Sequence, residues 1–121
     1  MAAFSSGLVL VTGATGFIGL NTVLRLLEED FSVRATVRND TARQKVIHSL
    51  RGLVNVDKLG FAIADLTKDE GWHDAARGCC YVIHTASPYP ASNPKDENEL
   101  IIPARDGTLR VLQAAHDEGI K

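Results

Sequence analysis

The chain has 121 residues, enough for one domain that buries roughly two-thirds of the surface its extended form exposes. With 45% hydrophobic and 23% charged residues, the composition excludes a disordered chain, a collagen-like repeat and a coiled coil. A formal charge of -2 argues against nucleic acid or an anionic membrane surface as a partner.

Leu8-Val9-Leu10-Val11-Thr12 lies between Gly7 and Gly13 and reads as a strand buried on both faces. From Phe17 the period changes to helical, with Ile18, Leu20, Val23, Leu24, Leu26 and Leu27 forming one broad apolar stripe. Residues 32–37 alternate and read as a second strand. Thr41-Ala42-Arg43-Gln44 matches a capping box, and Val46, Ile47 and Leu50 give the following helix its apolar face. Residues 59–64 read as a third strand. Thr67-Lys68-Asp69-Glu70 is a second capping box, predicting a short helix that Gly78 stops. Residues 79–84 form the fourth predicted strand, and residues 87–94, with three prolines, a loop. Residues 96–118 are helical in pattern, with Pro103 and Gly107 expected to bend or divide the helix and Gly119 to stop it. Strict β-α alternation with continuous apolar strands indicates the α/β class, a parallel sheet covered by helices.

No apolar run reaches the ~20 residues that span a bilayer. Residues 1–7 lack the basic stretch of a secretory signal. Cys79 and Cys80 are adjacent and read as two reduced, buried small hydrophobes, which fits a cytoplasmic location. His48, His73, His84 and His116 lack the close spacings of a zinc site, so no metal is expected.

Gly13, Gly16 and Gly19 are spaced G-x-x-G-x-x-G between the first strand and the first helix. In that context Gly13 permits a tight turn, Gly16 clears space for a pyrophosphate, and Gly19 lets the helix pack on the strand. Free N–H groups and the helix dipole then face the phosphates. The end of the second strand should select the cofactor. An Asp or Glu there serves the ribose of NAD. Here Arg38 stands just past the strand, with Lys45 in the next helix. A guanidinium forks onto a 2′-phosphate, so this pair favours NADP over NAD, the alternative being solvated surface charges. Asp40 has two readings, a ribose acceptor or the opening residue of a helix, and the second is preferred. Asp65, after the third strand, is positioned to accept from the adenine amino group while Leu66 packs on the ring; its alternative is a turn residue. Thr85, Ala86 and Ser87 leave the fourth strand at the carboxyl end, where ligands of open α/β sheets sit. His84 reads as a packed strand-end histidine rather than a catalyst.

Together, residues 12–19, residues 33–38, Asp65-Leu66 and His84-Thr85-Ala86-Ser87-Pro88 resemble the extended short-chain dehydrogenase/reductases of the NAD-dependent epimerase/dehydratase superfamily. The branch most resembled is that of the dihydroflavonol reductase/cinnamoyl-CoA reductase-like NADP-dependent aldehyde and ketone reductases. Glu97 to Leu100, then Pro103 and Gly107-Thr108, resemble the helix after strand four in that branch. The resemblance implies a Rossmann-type doubly wound sheet, truncated after the fourth strand and its helix. It also implies NADPH contacts at Ala14, Thr15, Phe17, Ile18, Arg38, Lys45, Asp65, Leu66, Thr85, Ala86 and Ser87.

The family transfers hydride with a Tyr-x-x-x-Lys pair and a Ser or Thr beyond the fifth strand. Tyr81 is followed at that spacing by Thr85, and Tyr89 by Asn93, so no catalytic residue is assigned. The expected reading is the N-terminal, NADP-binding part of a carbonyl reductase, residues 1–121 forming one incomplete domain. It would act on a small-molecule carbonyl substrate only with the C-terminal part present. The alternatives are a stand-alone, non-catalytic dinucleotide-binding or redox-sensing module, and a degraded product without a stable fold. The implied strand order 3-2-1-4-5 places Cys80 to His84 inside the sheet. Without a fifth strand that segment becomes an edge open to self-association.

Overall fold

The computed structural model describes residues 7–86 and 95–120. The elements follow as β1 (Leu8–Thr12), α1 (Phe17–Glu28), β2 (Ser32–Val37), α2 (Asp40–Leu50), β3 (Leu59–Ile63), α3 (Trp72–Ala76), β4 (Tyr81–His84) and α4 (Asn98–Asp117). The strands form one parallel sheet in the order β3-β2-β1-β4. This is the expected α/β architecture, Rossmann-like in strand order.

Two cores explain why β1 is apolar from Leu8 to Val11. Successive strand residues point to opposite faces. Val9 and Val11 join Val33, Ala35 and Val37 of β2 under Val23 and Leu27 of α1 and Val46 and Leu50 of α2. Leu10 faces the other way, into a cluster with Trp72, Ala75 and Ala76 of α3 and Val111 and Ala114 of α4. Each fully buried Val or Leu side chain among these contributes roughly 1.5–3 kcal/mol.

Several boundaries differ from the sequence prediction. Asn39, not Thr41, caps α2, its side chain accepting from the Ala42 N–H at 2.9 Å. The second predicted capping box does not form. Asp65 Oδ1 accepts from the Thr67 N–H (2.9 Å) and hydroxyl (2.7 Å), tying up Thr67 in a turn, and α3 begins only at Trp72. Strand β4 begins at Tyr81, and Cys80 is exposed while Cys79 is buried. Adjacent residues of an extended chain face opposite ways, so one thiol turns to the core and the other to solvent. Helix α4 is not divided. Pro103 forfeits only its own N–H bond, and Gly107 is buried within the continuous helix. Gly119 (φ 74°) ends α4 as expected, with the Ile120 N–H reaching back to the Ala115 carbonyl at 2.8 Å. The predicted loop at residues 87–94 lies outside the described residues. None of the described helices is long and apolar enough to cross a membrane.

Arg34 lies in β2 as predicted, but its contacts were not expected. Its Nη1 donates to the Ala75 carbonyl (2.8 Å) and the Arg77 carbonyl (2.6 Å), holding the C-terminal end of α3 to the sheet. A cation there also suits the negative end of the helix.

Candidate functional site

A cleft of about 880 Å³ opens at the carboxyl ends of the strands. Every β-α junction contributes to it. Gly13, Thr15 and Gly16 come after β1, Arg38 after β2, Asp65 to Thr67 after β3, and Thr85 and Ala86 after β4. Lys45 of α2 and Glu99 and Pro103 of α4 complete the walls.

The three glycines of the turn answer to different constraints. Gly13 has φ +78°, and a Cβ there would lie 2.8 Å from the Ala86 backbone. A Cβ on Gly19 would overlap the Gly13 carbonyl oxygen and approach the Thr85 hydroxyl at 2.9 Å. Both are therefore required by the fold itself. Gly16 is different. Its backbone is extended (φ -82°, ψ 166°), and a Cβ would meet nothing closer than the Gly13 oxygen at 3.5 Å. The protein has room for a side chain at Gly16, on the wall of the cleft. Gly16 is also the N-cap of α1 and supplies no side-chain oxygen, so the amides of the first turn keep their capacity to bind an acceptor.

A hydroxyl network locks the β4 exit against this turn. The Thr12 hydroxyl accepts from the Thr85 and Ala86 N–H groups, each at 3.1 Å. With both acceptor positions filled, its single hydrogen goes to His84 Nδ1 at 2.6 Å. His84 is thereby neutral with its proton on Nε2, which donates to the Thr108 hydroxyl of α4 at 3.3 Å. Burial pushes its pKa below the ordinary histidine value, in agreement with that state. His84 is the packed structural histidine that the sequence suggested.

At the other end of the cleft, Arg38 is exposed and makes no ion pair or side-chain hydrogen bond among the described residues. The same holds for Lys45. Asp40 opens α2 and pairs with Arg43 at 2.8 Å. Asp65 serves the turn through Oδ1, while Oδ2 has no hydrogen bond among the described residues. The Thr67 amide and hydroxyl hold its pKa below the usual value, with the charges of Lys68 and Arg38 adding to the effect.

The predicted residues divide clearly. Gly13, Thr15, Gly16, Arg38, Lys45, Asp65, Leu66, Thr85 and Ala86 line the one cleft. Ala14 is fully buried beneath the turn, and Gly19 packs against Gly13. Phe17 and Ile18 are 83% and 69% exposed on the first turn of α1. Leu66 is mostly buried, its side chain packed toward Gly107, so only a small part of it is open to a ligand. Ser87 lies outside the described residues. Sequence reasoning missed Trp72, Glu99 and Pro103 as lining residues. Trp72 had a signal: a lone indole in a short helix beside the Asp65 turn, whose N–H needs a buried acceptor.

Residues 9–121 match the NAD dependent epimerase/dehydratase family. The chain belongs to that family. It is 38% identical over 119 residues to a dihydroflavonol 4-reductase of Zea mays, covering 97% of this chain and 33% of the maize protein. It is 42% identical over 106 residues to a bifunctional dihydroflavonol 4-reductase/flavanone 4-reductase of Malus domestica, covering 88% of this chain and 30% of the other. The chain thus spans about a third of the length of these relatives. Among solved structures, vestitone reductase from alfalfa aligns with a TM-score of 0.69 at 34% identity, over 91% of this chain and 32% of that one. Yeast methylglyoxal/isovaleraldehyde reductase, solved in complex with NADPH, aligns with a TM-score of 0.76 at 27% identity, over 92% and 33%.

Proposed function

We propose that the chain is the NADP(H)-binding part of an oxidoreductase that reduces an aldehyde or ketone by hydride transfer. The observation that carries this reading is the charge arrangement at the adenosine end of the cleft. Two cations, Arg38 and Lys45, face it without partners among the described residues, and the carboxylate of Asp40 is paired with Arg43. An exposed carboxylate would repel a 2′-phosphate, whereas a guanidinium offers it two parallel donors.

The chain's own residues fit such a cofactor. Gly16 leaves space where a pyrophosphate meets the uncapped turn of α1. Asp65 Oδ2 is available to accept from the adenine amino group. Thr85 and Ala86, held by Thr12, form the floor near the strand ends. Ser87 is proposed as a contact on the resemblance alone. When bound, the reduced nicotinamide supplies a hydride to the carbonyl carbon. The chain's own residues would hold that donor by its pyrophosphate and adenosine. A Tyr-x-x-x-Lys pair to deliver the accompanying proton does not occur in these 121 residues, which span about a third of the relatives' length.

Trp72, the one tryptophan of the sequence, lines the cleft and gives a direct assay. Bound NADPH should quench its emission and be sensitised by it, with displacement by 2′,5′-ADP. Absence of saturable transfer at millimolar NADPH would sink this reading. Transfer together with carbonyl-dependent NADPH oxidation by these 121 residues would show that the acid inventory is misjudged.

A further inference from the structure

We infer that Arg110, on α4, is a positioning residue for adenine recognition: it holds the Asp65-Leu66 shelf from outside the cleft. This rests on the proposed dinucleotide site and specifies which distant residue sets its base preference.

The shelf has no regular secondary structure of its own, lying between β3 and α3. Its geometry depends on one turn bond, from the Lys68 N–H to the Asp65 carbonyl at 3.0 Å, and on side chains that grip its backbone. The Trp72 indole N–H donates to the Asp65 carbonyl and to the Lys68 carbonyl, each at 3.1 Å. Arg110 Nη1 donates to the Leu66 carbonyl at 2.9 Å. Its Nε donates to Asp69 Oδ1 at 2.6 Å, fixing the guanidinium plane and a second point of the same loop. Both carbonyls of the Asp65-Leu66 pair are thus held, one from α3 and one from α4.

An independent feature brings α4 to the shelf. Gly107 lies one helical turn before Arg110 and is buried. A Cβ at Gly107 would lie 3.0 Å from Leu66 Cβ and 3.3 Å from the Leu66 carbonyl oxygen. The helix therefore approaches Leu66 closely enough that even a methyl group at position 107 would crowd it. That approach brings the guanidinium within reach of the carbonyl. Arg110 itself does not line the cleft. It acts only through the orientation of Asp65, whose uncommitted Oδ2 is the acceptor for a base carrying an amino group.

Adenine and hypoxanthine differ at that point: adenine carries an N–H donor and hypoxanthine a carbonyl acceptor. The test is the ratio of affinities for NADPH and its deamino (hypoxanthine) analogue, measured by calorimetry on the full chain. The wild-type protein is expected to prefer NADPH. Arg110→Met keeps the aliphatic stem and removes the donors, and should reduce the preference about fivefold or more. Arg110→Lys should restore part of it, and Asp65→Asn should abolish it. Arg105→Met, an exposed change on the same helix, should leave the ratio unaltered. A general loss of stability would weaken both affinities and leave their ratio unchanged. An unchanged ratio in Arg110→Met therefore overturns the inference, whether or not the melting temperature falls. Failure of the wild-type protein to bind either dinucleotide would instead overturn the proposed function.

Discussion

Gly16 and Gly19 differ by three positions and predict opposite phenotypes for the same substitution. In Gly19→Ala the new methyl overlaps the Gly13 carbonyl oxygen, lies 2.6 Å from the Gly13 carbonyl carbon and presses the Thr85 hydroxyl at 2.9 Å. These are mostly backbone atoms of the turn, so no rotamer change relieves them. Overpacking of this kind costs about 1–3 kcal/mol, against a gain of up to ~1 kcal/mol from replacing a helical glycine. A backbone overlap belongs at the upper end, so the net loss is about 2 kcal/mol and the melting temperature falls on the order of 10 °C. In Gly16→Ala the methyl meets only the Gly13 oxygen, at 3.5 Å, from a backbone conformation any residue adopts. The gain from a stiffer unfolded chain, ~0.4–1 kcal/mol, roughly cancels the poorer N-cap. Its melting temperature should stay within a few degrees of wild type, while NADPH affinity falls about tenfold or more because the methyl projects where the pyrophosphate approaches. Calorimetric melts and NADPH titrations of the two variants make the comparison. A Gly16→Ala protein that melts like Gly19→Ala, or binds NADPH as wild type does, would refute the assignment of Gly16 to the ligand rather than to the turn.

Arg34→Met should strip the Ala75 and Arg77 carbonyls of their donor and cost about 2 kcal/mol in urea unfolding, with NADPH affinity little changed; an unaltered midpoint would contradict the clamp on α3. His84 has a lowered pKa in the folded state, so the unfolded chain binds the extra proton first as pH falls below about 6.5. Its contribution to stability is therefore intact above that value and is lost as pH drops toward the folded pKa. Urea unfolding at pH 7.5 and 5.5 should show a drop that His84→Asn diminishes, and equal drops in the two proteins would refute the neutral-state assignment. The outer edge of β4 pairs with no strand among the described residues, and Tyr81 is 45% exposed there. These 121 residues are expected to self-associate through it, seen as a concentration-dependent mass in light scattering; a strictly monomeric species with a melt above about 60 °C would argue against an open edge.

Local pattern carried the architecture. The β-branched runs at β1 and β2, the change of period at Phe17 and the glycine spacing each encode a backbone preference within a few residues. The parallel sheet and its cleft follow from their alternation. What escaped was decided by competition or by distance. Both Asn39 and Thr41 are good caps, and the capping-box pattern pointed to Thr41, but the Asn39 side chain reaches Ala42 first. The second predicted cap was lost because Asp65 captured Thr67. Arg34 and Arg110 look like ordinary surface charges in sequence. Their partners lie 41 and 44 residues away, and no periodicity encodes such a contact. That Arg38, Lys45 and Gly16 line one cleft was legible, because parallel β-α order brings the strand exits to one edge of the sheet. Leu66 lines the cleft and also packs toward Gly107 of α4, a contact that the local pattern does not encode.

The central claim is that Arg38 recognises a 2′-phosphate at the adenosine end of the cleft. Calorimetric titration of NADPH and NADH into the wild-type protein and Arg38→Ala tests it most directly. A charge-assisted bond of about 1.5–3 kcal/mol predicts a preference for NADPH of roughly 10- to 100-fold in the wild type. Arg38→Ala should lose most of that preference by weakening NADPH alone, with NADH affinity nearly unchanged. Equal affinities in the wild-type protein, or a preference that survives in Arg38→Ala, would contradict the account.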